Sequence, residues 1–264
     1  MNGALFRRAA LVVLLLCVAG TVAFAQRFGG RSRRPQLDVQ VQGNTPYDGR
    51  FTFVRLRYNA GIGRFGNWLG NGGIPWSHDY PEGEVHFAKI LEDVSFLRCR
   101  DDGSNIISLS DPELFNYPVA YMAEPGFWAV TPEEATAFRA YLLKGGFVIF
   151  DDFRGWDWDN LQQQMRTVLP EARWIQLDGT SKVFHSFFEI DNPETLAPPY
   201  GGEPASYWGL FEHNDPSKRL MAIANVNNDI SEYWEVSDQG VFIVDLSNEA
   251  YKFGVNYVIY ALTH

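Results

Sequence analysis

The sequence predicts an α/β domain built on a mainly parallel sheet. Short apolar runs of strand length alternate with segments of helical periodicity through residues 47–264, the pattern of a sheet with helices packed on its faces. An apolar content of 46% suits a packed core of this kind. Aromatic, strand-like pieces in the C-terminal third predict additional β-hairpins beside the parallel part of the sheet.

The first part of the domain predicts a strand followed by a helix. The run FTFVRLRYN, residues 51–59, is the first strand, and apolar residues on one helical face predict a helix over 81–95. The segments FLRCR, 96–100, and DPELFNY, 111–117, are candidates for a short second strand and a short helix.

A strand–helix–strand unit follows and has the strongest local signals. YPVAYMAE predicts a buried third strand that ends near Glu124, and Thr131 with Glu134 forms a capping box at the start of a helix. Two glycines at 145–146 end this helix before the fourth strand, FVIFDD, 147–152.

The rest of the chain predicts a helix over 159–169, the strand ARWIQL and a final helix within 248–264. Between them lie the strand-like pieces HSFFEI, SYWGLFEH, RLMAIANVN and VFIVDL.

The N-terminal segment predicts export. Two arginines, a long apolar run and an Ala-Phe-Ala cleavage motif give residues 1–25 the layout of a signal peptide. We interpret residues 26–46 as a flexible Arg/Gly-rich linker and 47–264 as a single α/β domain. The expected location is periplasmic or extracellular. If the signal is not cleaved, it is an N-terminal anchor and the only membrane contact.

Charge and cysteine content narrow the function classes. Six of the 22 basic residues lie before residue 37, while all 32 acidic ones lie after it, so the domain repels phosphate backbones. Nucleic acid is therefore not an expected partner. Signal cleavage removes Cys17 and leaves Cys99 alone, which excludes an internal disulfide.

The segment GIGRFG, residues 61–66, matches the spacing of a dinucleotide-binding fingerprint but lacks its context. That motif needs a helix after its third glycine, whereas NWLGNGGIPW follows here. We interpret residues 60–76 as a loop over the strand ends.

Polar residues follow the predicted first, third and fourth strands, and a His-Asp pair precedes the first helix. If these strands are neighbours and parallel, their carboxyl ends share one edge of the sheet and form a cleft of mixed charge. The candidate ligand-binding residues are Arg57, Tyr58, His78, Asp79, Glu124, Asp151, Asp152 and Arg154.

Two readings stay open for the acidic pair of the fourth strand. Adjacent carboxylates at a strand end can hold Mg²⁺. Alternatively, one of Asp151 and Asp152 caps a backbone N–H and the other pairs with Arg154. His78 and Asp79 likewise suit either acid–base chemistry or helix capping.

The sequence indicates no cofactor, no metal-ligand set and no nucleophile. The histidines lack paired metal spacing, and no G-x-S-x-G elbow occurs. Cys99 stands between two arginines that could lower the pKa of its thiol, but it lacks an elbow context. Several tryptophans could stack on sugars or serve as core anchors: Trp68, Trp76, Trp156, Trp158 and Trp234.

Several segments, in order, resemble a bacterial family known as domain of unknown function 4159. They are FVRLRYN, HDYPEGEVHFAKILEDV, KGGFVIFDDF, NNDISEYWE and YKFGVNYVIYALTH. The resemblance implies a flavodoxin-like three-layer sandwich with a class I glutamine amidotransferase-like fold, in envelope proteins. Amidotransferases of that fold use a cysteine after the third strand, where this chain has Glu124-Pro125-Gly126. The resemblance therefore implies the shape and not the amidotransferase chemistry.

These observations favour a non-catalytic binding or assembly module of the cell envelope, with an envelope protein or glycan as partner. The alternative is a carboxylate- or metal-dependent hydrolase acting on an envelope glycan or peptide. In that alternative Asp151 and Asp152, with Glu124 or His78, supply the chemistry.

Overall fold

The computed structural model describes residues 41–60 and 74–264. Its seven strands form one sheet in the order β2-β1-β3-β4-β7-β6-β5. The strands are β1 (Val54–Arg57), β2 (Asn105–Ser108), β3 (Val119–Ala123), β4 (Phe147–Phe153), β5 (Trp174–Leu177), β6 (Ser206–Phe211) and β7 (Leu220–Val226).

Only β6 among these strands runs against the others. Each neighbouring pair in the part β2-β1-β3-β4-β7 of the sheet is parallel, whereas β6 is antiparallel to both β7 and β5. The predicted fold class is confirmed: a mixed α/β architecture with a mainly parallel sheet and extra antiparallel strands, consistent with a flavodoxin-like sandwich.

The sheet also confirms the predicted neighbourhood of the first, third and fourth strands. β3 pairs in parallel with β1 on one side and with β4 on the other. Because β2 lies beyond β1, the strand order reverses between β1 and β3. Ligands of open α/β sheets bind beyond the carboxyl ends of the strands at such a switch point.

Five α-helices cover the two faces. They are α1 (Glu82–Ser95), α2 (Pro132–Leu143), α3 (Trp156–Val168), α4 (Ile230–Glu235) and α5 (Val244–Thr263). Thr131 and Glu134 form the predicted capping box of α2. One core cluster packs α1, α4 and α5 on one face of the sheet, and a second packs α2 and α3 on the other. All seven residues of β4 are buried, as expected for a central strand covered on both faces.

Several element predictions are wrong, each where local pattern and tertiary context disagree. FLRCR contributes only a single bridge, Phe51 to Cys99, and the second strand is instead Asn105–Ser108. HSFFEI begins at His185, the last residue of the short 3-10 helix Lys182–His185, and is not a strand. VFIVDL is not a strand either, since its last three residues begin α5. Its aromatic and branched residues give it a local pattern typical of a strand.

No helix within the described residues is both long and apolar enough to cross a membrane.

Candidate functional site

The predicted site residues that converge do so at the carboxyl ends of β3 and β4. Glu124 directly follows β3, and Asp152 lies near the end of β4. His78 and Asp79 lie in the turn that precedes α1, and Asp229 is the N-cap of α4. Segments distant in sequence thus meet at the switch point of the sheet.

Three acidic residues of this group have left-handed backbone conformations. The φ angles are 62° at Asp79, 50° at Glu124 and 56° at Asp152. Such a conformation costs a residue other than glycine about 1–3 kcal/mol, and it accumulates at functional sites. The fold therefore holds these carboxylates in place at the expense of stability.

Asp151 is a structural residue. Its Oδ1 accepts a hydrogen bond from Asn225 at 2.9 Å, and its Oδ2 accepts from the backbone N–H groups of Ile230 and Ser231 and from the Tyr121 hydroxyl. The side chain is fully buried, which raises its pKa to about 6. The capping interpretation of one member of the acidic pair is therefore correct, and Asp151 ties β4 to α4.

Asp152 faces the site and binds His78. The Oδ2 atom of Asp152 lies 2.5 Å from Nδ1 of His78. Burial alone lowers the pKa of His78, but this hydrogen bond and the charges of Asp152, Asp79 and Glu124 outweigh it and raise the pKa to about 10. The imidazole is therefore positively charged at neutral pH, and 38% of its side chain is open to solvent.

Asp79 is buried with one oxygen that accepts no hydrogen bond from the described residues. Its Oδ2 accepts from the hydroxyl of Ser231, whereas Oδ1 lies 3.6 Å from His78 Nδ1 and has no hydrogen-bond partner there. Only 4% of the residue is exposed. An unsatisfied buried carboxylate oxygen is costly, and in native proteins it calls for an explanation such as a bound ion.

Four side chains form a compact set of potential metal ligands. One ligand atom from each of His78, Asp79, Asp152 and Asp229 lies within 4.8 Å of the others. Metal–ligand distances of about 2.0–2.6 Å place the ligands of one ion no more than about 4–5 Å apart. We call these four residues the strand-end cluster.

Further acidic groups surround the strand-end cluster. Glu232 and Glu235, on α4, each place an oxygen within 4.8 Å of Asp79. Burial and the neighbouring Asp152 charge together raise the pKa of Asp79 to about 8 and that of Glu124 to about 9. Burial also holds the pKa of Asp229 well above its usual range. These shifts all arise from desolvated negative charge with too little positive charge nearby.

A buried ion pair lies beside the cluster. Arg55, on β1, donates through Nε to Glu84 of α1 and through Nη1 to the Trp76 carbonyl at 3.0 Å. Its guanidinium lies 5.0 Å from the centre of the Tyr121 ring. The pair anchors the turn that carries His78 to the sheet. The sequence analysis did not identify this pair. In a strand of alternating apolar and charged residues, the pattern predicts that the Arg55 side chain is exposed to solvent.

Tyr58 also has a positioning role. Its hydroxyl donates to the backbone carbonyls of Ala123 at 3.0 Å and Glu124 at 2.6 Å. Burial raises its pKa well above the usual value, so the hydroxyl stays protonated. Tyr58 therefore fixes the strained backbone at Glu124.

The two candidate arginines do not join the cluster. Arg57 is exposed and contacts the Ser108 hydroxyl at 3.3 Å, and Arg154 is exposed and forms no ion pair with a described residue. The expected Arg154 pairing with the acidic pair is wrong, since Asp152 pairs with His78. The expected cleft of mixed charge is instead acidic in the described region, with His78 as its cation at the surface.

Other sequence candidates resolve differently. Residues 61–66, the GIGRFG segment, lie outside the described residues. Burial and the nearby charges of Glu92 and Asp101 raise the pKa of Cys99 to about 12, so its flanking arginines do not activate it. Trp76 and Trp234 are buried core residues, whereas Trp158 is partly exposed.

One family model matches the chain. It covers residues 52–262 and is described as Domain of unknown function (DUF4159). The matched range includes the whole sheet and every member of the strand-end cluster. No match is found among curated proteins.

Proposed function

We propose that this chain, which belongs to the DUF4159 family, a domain of unknown function, is a metal-dependent hydrolase. Its strand-end cluster binds a divalent cation. The observation that carries this proposal is the buried Oδ1 of Asp79, which accepts no hydrogen bond from the described residues and lies among three other potential ligands.

The electrostatics of the site support a cation. Burial and mutual repulsion raise the pKa values of Asp79, Glu124 and Asp229, so an ion-free site keeps protons that these groups would otherwise lose. A divalent cation bound by Asp79 and Asp229 replaces the protons of these two groups and offsets the repulsion.

The ligand types favour Zn²⁺ or Mn²⁺. Imidazole suits zinc and related transition metals, and carboxylate oxygens suit manganese, magnesium and calcium. One imidazole with three carboxylates fits an ion that accepts both. When bound, such an ion supplies a polarised water or substrate oxygen for hydrolysis.

Glu124 supplies the acid–base group in this proposal. It is half-buried beside the cluster, and in the ion-free protein burial raises the pKa of its carboxyl group to about 9. Tyr58 holds its backbone, so the carboxyl group is positioned without being a metal ligand.

A non-catalytic binding or assembly module is the second candidate. It is supported by the residue after β3. This residue is Glu124, at the position where class I amidotransferases, whose fold the sequence resemblance implies, have their cysteine. In either case we propose an exported protein of the cell envelope, periplasmic or extracellular, with an envelope glycan or peptide as substrate or partner. The N-terminal signal and linker of the sequence support that location.

Calorimetric titration of the full chain tests the cation site. Protein stripped with EDTA and then desalted is titrated with Zn²⁺, Mn²⁺, Mg²⁺ and Ca²⁺. We expect one bound Zn²⁺ or Mn²⁺, and affinity reduced at least about tenfold in Asp79→Asn and in Asp229→Asn. Asp93→Asn, at an exposed position on α1, is the matched control and should bind normally.

Hydrolysis of reporter glycosides, peptides and esters then separates the two candidates. The enzyme predicts turnover that needs the ion and is lost in Glu124→Gln. A protein that binds the ion but hydrolyses none of these substrates is better described as the binding module. If no ion binds at neutral pH, the metal-dependent proposal is wrong.

A further inference from the structure

Three tryptophans line a cleft on the α3 side of the sheet. Trp158 lies on α3, Trp174 on β5 and Trp208 on β6. The cleft has a volume of about 300 Å³, and Met165, Leu169 and Leu210 contribute apolar surface to its lining. That volume lies at the lower end of the range for small-molecule sites. We call it the tryptophan cleft.

The three indoles form one continuous aromatic surface. The ring centre of Trp158 lies 5.0 Å from that of Trp174 and 5.6 Å from that of Trp208. All three side chains are only partly buried. Trp158 stacks against Phe153 and Trp174 packs edge-on against Phe150, so the core holds the rings in place while part of each indole stays accessible.

Hydrogen-bonding capacity remains in the cleft. Trp208 donates through its indole N–H to the Ser206 hydroxyl at 3.1 Å. The indole N–H groups of Trp158 and Trp174 form no hydrogen bond with the described residues, and neither is a buried unsatisfied group. Gln162 also lines the cleft and offers an amide. These groups suit a ligand with hydroxyls on its edge.

Two arginines give the cleft a positive charge. Arg166 and Arg173 both line it and are exposed, and neither forms an ion pair with any described residue. The chain as a whole is acidic, with a formal net charge of −10. Two unpaired guanidinium groups beside one small cleft therefore indicate a ligand that carries a negative charge.

We propose that the tryptophan cleft binds a sugar ring that carries a carboxylate. The apolar face of a pyranose packs on indole rings, its hydroxyls meet the indole N–H and amide groups, and its carboxylate pairs with a guanidinium. The tryptophan cleft shares no residue with the strand-end cluster. The inference therefore does not depend on the proposed hydrolase activity.

Calorimetry with a matched pair of ligands tests it. The full chain is titrated with cellotriose and with its C6-oxidised form, in which each ring carries a carboxylate. We expect the oxidised trisaccharide to bind and cellotriose to bind at least about tenfold more weakly, since cellotriose lacks the carboxylate that pairs with a guanidinium.

Variants assign the binding to the cleft. The double variant Arg166→Gln/Arg173→Gln should lose at least about tenfold in affinity for the oxidised sugar, whereas Arg98→Gln, at an exposed position elsewhere, should bind normally. Trp174→Leu should abolish binding of the oxidised sugar. Its thermal unfolding is measured in parallel, and because the arginine changes lie on the surface, they test the site even if that variant is unstable.

Any of three results would overturn the inference. One is absence of binding of the oxidised trisaccharide at millimolar concentration. Another is equal binding of both sugars, and the third is binding of the oxidised sugar that the double arginine variant leaves unchanged.

Discussion

The Nδ1 atom of His78 lies 2.5 Å from Oδ2 of Asp152, across 74 residues of sequence. This contact joins the turn before α1 to the end of β4. It places the positively charged His78 at the surface of a group of buried carboxylates. The pH dependence of the unfolding free energy follows from this arrangement.

Without divalent cations, we expect the protein to become less stable as pH rises from 5 to 9. The folded-state pKa is raised from 6.5 to about 10 at His78, from 3.8 to about 8 at Asp79 and from 4.5 to about 9 at Glu124. The folded state therefore binds more protons than the unfolded state through these ranges, so unfolding free energy falls with rising pH.

Urea unfolding at pH 5, 7 and 9 in EDTA measures this dependence. The double variant Asp79→Asn/Glu124→Gln should flatten it, because two of the titrating groups are then absent. Unfolding free energy that rises toward pH 9 would contradict the raised pKa values.

The adjacent residues Asp151 and Asp152 should differ sharply in their effect on stability. Asp151→Ala leaves the Asn225 amide, the Tyr121 hydroxyl and two backbone N–H groups of α4 without their acceptor. We expect a loss of about 3–5 kcal/mol, since each buried unsatisfied group costs about 1–3 kcal/mol.

Asp152→Ala removes the hydrogen bond to His78 and also relieves repulsion with Glu124. Its unfolding free energy in urea at neutral pH should fall by much less than that of Asp151→Ala. Equal losses of unfolding free energy in the two variants would contradict the assignment of Asp151 as a structural carboxylate and of Asp152 as a site carboxylate.

The buried pair of Arg55 and Glu84 should show strong coupling. Both side chains are 1% exposed, and Glu84 Oε2 has no hydrogen-bond partner among the described residues. Glu84→Gln or Arg55→Met alone leaves an uncompensated buried group and should cost about 3–5 kcal/mol.

The double variant Arg55→Met/Glu84→Leu should recover much of that loss, because apolar side chains can replace a buried pair. A double-mutant cycle from urea unfolding gives the coupling energy. Purely additive effects would show that the pair does not act as a unit.

Cys99 should resist alkylation in the folded protein. Its thiol pKa is raised to about 12, so at pH 8 about one molecule in ten thousand carries the thiolate. Iodoacetamide labelling followed by mass spectrometry should be slow in buffer and rapid in urea. Rapid labelling of the folded chain at pH 8 would restore the reactive-cysteine hypothesis.

Local signals predicted the parts of the fold that are encoded locally. The capping box at Thr131, the glycines after α2 and the apolar run of β4 act over a few residues, so their elements could be read directly. The strand β2 and the helix α4 could not be predicted from local sequence. Four residues such as Asn105–Ser108 form a strand through pairing with β1, and α4 is held by Asp151, far away in sequence.

The sequence by itself determined that polar residues end β1, β3 and β4 and that these ends share an edge, because connectivity and strand direction follow from the pattern of apolar runs. Only the tertiary structure decided which of those residues meet. Asp79 accepts a hydrogen bond from Ser231, 152 residues away in the sequence, and Asp152 pairs with His78 instead of Arg154. Burial then sets the charge of each group, and burial is a property of the packed fold that no local spacing encodes.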